Sequence, residues 1–196
     1  MTKNRIEAFS DGVLAIIITI MVLEFKIPES PEWSALSKYL PTFLSYVLSF
    51  TYIGIYWGNH HHLLHTVKHV SSGIIWANLN LLFWLSLIPF ATGWMGNTHF
   101  AQNTVIAYAV LLMISGVSYF ILQKIIQSCN KTNEVMARAY AAQQKKVTLS
   151  IVFYSLSIVF AFYNTTISEV LFMAVAALWI VPDKNIERAM GEKAHS

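Results

Sequence analysis

Two sets of polar side chains stand out against an otherwise apolar chain. Asp11 sits at the entrance of an uncharged run, Gly12 to Leu23. An ionisable residue at the edge of an apolar span is costly in lipid and needs a polar partner. Two roles are open to it. It can act as a capping group held with Ser10 against the backbone. Or it can join a polar network with Arg5, Trp57, Asn59, Asn78 and a histidine of the 60–62 run. The second set is Asn59-His60-His61-His62, followed by His65 and His69. His61 and His65 are one helical turn apart, as are His65 and His69, a spacing that can hold zinc. No carboxylate lies beside them in sequence, so the expectation is interfacial hydrogen bonding and no metal. Histidine also titrates near neutrality, which leaves a pH-sensing role open.

The run after Asp11 has its own pattern. Ile16, Thr19, Ile20 and Leu23 follow i, i+3, i+4, i+7 spacing and share one helix face. Asp11 falls roughly 140° from Ile16 around the same helix. Such a stripe can face lipid, pack in a bundle or line something narrow. Apolar rings can close an ion pore by dewetting. No Thr-Val-Gly-Tyr-Gly-like filter loop occurs, and the later spans carry almost no charge apart from Glu169. Secondary transport coupled to protons normally needs a relay of such groups near the midplane, so this pattern argues against it. Nor is there a nucleophile with a plausible base, a phosphate-cradling glycine loop or a His-Glu-x-x-His motif. The reading is therefore not an enzyme, and without a cofactor.

The elements that must carry these residues follow from composition. The chain has 196 residues, 56% of them hydrophobic and 12% charged. Soluble domains usually carry about 25% charged residues, so the bilayer is the expected solvent. One all-α, polytopic domain over residues 1–196 is expected. A net charge of +3 without a basic, aromatic-rich patch points away from nucleic acid. Cys129 is alone, which rules out an intrachain disulfide. The first apolar stretch lacks a cleavage site and is expected to stay as a helix. Six spans are read at about 4–25, 36–60, 72–94, 103–127, 147–163 and 167–181. Pro41 lies in the first turns of the second and Pro89 inside the third; the sixth is short and stops at Pro182. Residues 128–146 read as a helical extension of the flanking spans. With the N-terminus inside, the inner segments hold 11 Lys and Arg and the outer ones 2, Lys26 and Lys38. That asymmetry places both termini in the cytoplasm of a multi-pass plasma-membrane protein. Trp33, Trp57, Trp76, Trp94 and Trp179 fall mostly near span ends, where aromatic belts form.

Arg5-x-x-x-Phe9-Ser10-Asp11, followed by an Ile/Leu-rich helix with Thr19, resembles the first helix of the transmembrane protein 175 family. These are endosomal and lysosomal-type potassium channels and their prokaryotic relatives. Trp57-Gly58-Asn59-His60-His61, Trp76-Ala77-Asn78-Leu79 and Leu87-Ile88-Pro89-Phe90 extend the resemblance through the second and third spans. A chain with one six-span repeat resembles the prokaryotic form. The resemblance implies a homotetramer whose four first helices surround a pore for K⁺, passive in conduction. It implies a constriction at Ile16, further rings at Ile20 and Leu23, and Thr19 hydroxyls offered to the ion. It also implies that Phe9, Ser10 and Asp11 brace the pore helix, with Arg5, Trp57, Asn59, His60, His61 and Asn78 in the same network. Glu24 would attract cations at the outer end. The sequence departs from the family at Gly12, where alanine is also common, and at His62, where relatives often carry arginine.

Overall fold

The computed structural model describes residues 2–129 and 134–180. All regular elements among them are helical: α1 (Lys3–Met21), α2 (Leu40–His65), α3 (Ser72–Ser86), α4 (Ile88–Asn97), α5 (Gln102–Cys129), α6 (Glu134–Ala161) and α7 (Thr165–Ile180). Short 3₁₀ turns at Val22–Glu24 and Trp33–Tyr39 follow α1 and precede α2.

α3 and α4 are one membrane crossing broken at Leu87. Pro89 has no N–H to give the carbonyl four residues back, so the α-ladder cannot run through it. The chain tightens instead, Leu87 N–H donating to Trp84 O at 3.2 Å, and Ala91 N–H then reaches Leu87 O at 3.1 Å. The crossing from Ser72 to Asn97, α1 with its 3₁₀ turn, and α5 are each long and apolar enough to span a bilayer. α7 has 16 residues, about 24 Å at 1.5 Å per residue, and is short for a core of about 30 Å. These helices make the chain a multi-pass membrane protein of six helical segments. The ends differ from the sequence expectation where turns intervene. α2 starts at Leu40, because residues 33–39 wind as a 3₁₀ turn, and it runs on through the histidines to His65. The polar stretch before the fifth span belongs to α6, which begins at Glu134. The sequence region beyond Ile180, including Pro182, lies outside the described residues.

α1 packs on α2, α3 and α4, while α5 joins α3 and α4 to α6, and α7 lies against α6. In lipid, apolar burial alone gives helices little reason to associate; close packing and interhelical hydrogen bonds do. Both are present. Thr92 Oγ1 lies 2.6 Å from Ser49 Oγ, which lies 2.8 Å from the Tyr108 hydroxyl, tying α4, α2 and α5. The buried Tyr52 hydroxyl donates to Phe172 O at 2.7 Å, tying α2 to α7. Gly96 lets α4 approach α2 closely: a Cβ there would stand 2.5 Å from Ser45 Oγ and 2.7 Å from Thr42 Cα. α4 ends in two successive left-handed residues, His99 (φ 54°) and Phe100 (φ 57°). They turn the chain so that Phe100 N–H closes on Met95 O at 2.9 Å.

Candidate functional site

α1 has two unlike faces. Ile6, Ser10, Leu14, Ile17 and Met21 are buried. Their three- and four-residue spacing forms one stripe, which rests on the neighbouring helices. The opposite stripe has no partner among the described residues: Ile16 is 58% exposed, Ile20 43% and Leu23 78%. Phe9 and Thr19 lie on it as well and are also exposed. The four residues grouped by sequence spacing therefore do share an outward surface along the axis of a membrane-spanning helix.

Thr19 breaks the apolar character of that surface. Its hydroxyl lies 3.0 Å from both Ala15 O and Ile16 O, so its proton is committed to the helix backbone. A hydroxyl has two acceptor lone pairs besides its one donor. Thr19 thus presents oxygen lone pairs outward without a competing proton, the polarity suited to a cation. Glu24, in the 3₁₀ turn beyond α1, lays its carboxylate against α4. A Cβ at Gly93 would meet Glu24 Oε2 at 2.6 Å, so the absence of a side chain there makes the seat.

Behind the exposed stripe is a buried polar chain. His60 Nε2 lies 2.6 Å from Asn78 Oδ1, Asn78 Nδ2 donates to Ser10 Oγ at 3.0 Å, and Ser10 donates to Ile6 O at 2.8 Å. Its direction is fixed from one end. Ser10 spends its proton on the backbone and accepts from the Asn78 amide, which leaves Asn78 Oδ1 facing His60 as an acceptor. His60 Nε2 then carries the proton. All three side chains are buried, at 0 to 2% exposure, so each bond is shielded from water. This chain joins α1, α2 and α3 through Ser10, with Asp11 one position further round. Asp11 is half-buried and accepts from Trp57 Nε1 at 3.0 Å near the surface.

The structure corrects the membership of the expected network. His60, Asn78, Ser10, Asp11 and Trp57 meet around α1 as two adjoining sets. Asn59 is turned elsewhere: its side-chain amide donates to Ile55 O at 2.8 Å, and its main-chain carbonyl accepts from the Tyr119 hydroxyl of α5 at 3.3 Å. One residue along a helix is a rotation of about 100°, which puts Asn59 and His60 on different sides of α2. Arg5 is exposed and makes no hydrogen bond or ion pair among the described residues. Phe9 is exposed beside it rather than packed within the chain. His61 is exposed, with its ring centroid 4.6 Å from that of His65. A carboxylate does stand near these two imidazoles: Glu7 of α1 reaches them across the helix contact. The sequence spacing missed it because it comes from another helix.

Comparisons with known proteins agree with this fold. A family model described as endosomal/lysosomal potassium channel TMEM175 matches residues 5–89, from Arg5 of α1 to Pro89 of α4. A potassium channel of Chryseobacterium sp. is 52% identical over 192 residues, covering 98% of this chain and 100% of the relative. A potassium channel of Streptomyces collinus is 39% identical over 94 residues, 46% of each chain. The endosomal/lysosomal proton channel TMEM175 of Gallus gallus is 34% identical over 103 residues, covering 46% of this chain and 21% of that one. Among solved structures, a lysosomal potassium-selective channel TMEM175 homolog from Chamaesiphon minutus superposes with a TM-score of 0.81 at 25% identity. That superposition covers 91% of this chain and 96% of the homolog.

Proposed function

The chain belongs to the TMEM175 family, and from that membership and the α1 surface we propose that it is a potassium-permeable channel in which α1 lines the pore. The observation that carries the reading is the exposed stripe of α1, apolar except for Thr19, on a helix whose other side is fully packed. A back-bonded threonine is tolerated in lipid as well, but in a pore wall its outward lone pairs meet the ion.

In this reading four copies of the chain surround the axis, each with both termini in the cytoplasm of the plasma membrane. Ile16 forms the constriction, with Ile20 and Leu23 above it. A ring of such side chains excludes water and stops ions until the helices spread. Thr19 supplies hydroxyl oxygens one turn beyond the constriction. The C-terminal end of α1 carries partial negative charge, and Glu24 adds a full one, so the outer mouth favours cations. The chain Ser10–Asn78–His60 and the Asp11–Trp57 bond hold α1 at a fixed rotation against α2 and α3. A slip of one residue would turn Ile16 away from the axis by about 100°. Arg5 and Phe9, exposed and without a partner among the described residues, face the neighbouring copy.

The test is K⁺ flux through the purified protein in liposomes, wild type and Ile16→Asn, under K⁺ and then Na⁺ gradients. Wild-type K⁺ flux that rises sharply with Ile16→Asn is the expected result, because a polar ring wets the constriction. Flux unaffected by the substitution would remove Ile16 as the gate. No flux from either folded protein would favour a membrane sensor or assembly protein, and saturable flux coupled to an ion gradient would favour a transporter.

A further inference from the structure

We propose that Glu7, His61 and His65 form a binding site for a divalent transition-metal cation of the Zn²⁺ type, bridging α1 to α2. One ligand atom from each of the three side chains lies within 4.8 Å of the others. The two histidines are one turn apart on α2, and Glu7 enters from α1. Two imidazole nitrogens and one carboxylate oxygen are a donor set that zinc takes at about 2.0–2.2 Å, with a fourth position left to solvent. Nitrogen-rich donors select Zn²⁺, Co²⁺, Ni²⁺ and Cu²⁺ over Mg²⁺ and Ca²⁺.

A second observation points to a cation at the same place. Glu7 Oε1 is buried and has no hydrogen-bond donor. His65 Nε2 lies 3.9 Å from it, too far for a hydrogen bond. A buried carboxylate oxygen without a donor is expensive unless a positive charge compensates it. Access is open, since the His65 side chain is 48% exposed and Glu7 is 18% exposed. Lys3 Nζ donates to His65 O at 3.0 Å. That bond keeps a fixed positive charge near the site and moderates affinity for a second one.

Occupancy would tie the N-terminal turns of α1 to the end of α2. On the channel reading, this clamp holds the pore helix and lowers flux; metal binding itself does not depend on that reading. The test uses tag-free protein in detergent, titrated with Co²⁺ and followed by its visible absorption bands, with Zn²⁺ as competitor. The expected result is one Co²⁺ per chain with tetrahedral-type bands, displaced by Zn²⁺. Glu7→Gln and His65→Gln should each weaken binding at least about tenfold while the helical circular-dichroism signal stays unchanged. His65 lies at the exposed end of α2, so its variant stays informative if Glu7→Gln fails to fold. No bands, or bands that survive both substitutions, would overturn the proposal. In liposomes, Zn²⁺ should lower wild-type K⁺ flux and leave the His65→Gln flux unchanged. A protein that binds Co²⁺ in this way but never conducts would count against the channel reading alone.

Discussion

Ser10 and Asp11 are neighbours in the sequence, yet they hold α1 by different means. Ser10 is fully buried and receives the Asn78 amide, whereas Asp11 is half-buried and bonds the exposed Trp57. Replacing Ser10 by alanine leaves the buried Asn78 N–H without an acceptor. A membrane interhelical bond is worth about 0.6–2 kcal/mol, and the stranded donor adds to the loss. Ser10→Ala should therefore lower the thermal unfolding midpoint of the single chain more than Asp11→Ala; equal or reversed shifts would show that the aspartate is the principal anchor. Thr19 gives a different test. Its proton is held by Ala15 O and Ile16 O, so Thr19→Ala removes the outward lone pairs together with that local backbone bond and no contact between helices. Conduction should persist, with the K⁺ to Na⁺ permeability ratio, measured from reversal potentials, falling toward one. An unchanged ratio would place selectivity elsewhere. The sequence made the stripe legible because helical spacing depends on local residues alone. It favoured Asp11 over Ser10 because charge is conspicuous in a sequence. Which of two neighbours turns inward is decided by the phase that Ile6, Leu14 and Ile17 impose when they pack.

Helix contacts in this protein rest on a few close approaches. α4 meets α2 at Gly96, where a Cβ would stand 2.7 Å from the Thr42 backbone. Backbone cannot swing aside as a side chain can, so Gly96→Ala should push the helices apart and cost about 1–3 kcal/mol. Gly12 offers the contrast, since nothing lies within 4 Å of a Cβ there. Within one chain Gly12→Ala should be neutral or stabilising by up to about 1 kcal/mol, because it removes a flexible residue from a helix interior. Thermal unfolding of both variants in detergent checks the pair; a Gly96→Ala protein as stable as wild type would mean that α2 and α4 adapt freely. Apolar run length makes the six helical segments readable in the sequence, with Pro89 inside the third; that the helix breaks at Leu87 is not readable there. Nor is the 3₁₀ turn before α2: the second span reads from residue 36, whereas α2 begins at Leu40. The polar stretch before the fifth span reads as a helical extension, and α6 does begin at Glu134.

A lone copy of this molecule leaves much of the first helix uncovered. Phe9, Ile16, Ile20 and Leu23 lie along one side of α1, and Arg5, at its N-terminal end, has no partner among the described residues. In lipid an apolar side can stay bare at little cost, an arginine at a helix end can reach water, and a back-bonded threonine is tolerated; Arg5 and the outward side of Thr19 nonetheless meet no other helix among the described residues. They gain partners if identical copies meet around an axis parallel to α1, since a closed ring satisfies every copy alike. Four-fold closure is the arrangement that the proposed pore requires. Native mass spectrometry from mild detergent should then give four times the chain mass of 22.2 kDa. Arg5→Ala should shift that population toward smaller species if the guanidinium reaches a neighbouring copy. Phe9→Ala should act in the same direction, since its ring lies one turn along the same face. A stable monomer that still conducts K⁺ would put the pore inside one chain and return the α1 stripe to the lipid. A tetramer indifferent to both substitutions would move the contact between copies to another helix, with α1 still free to line the axis.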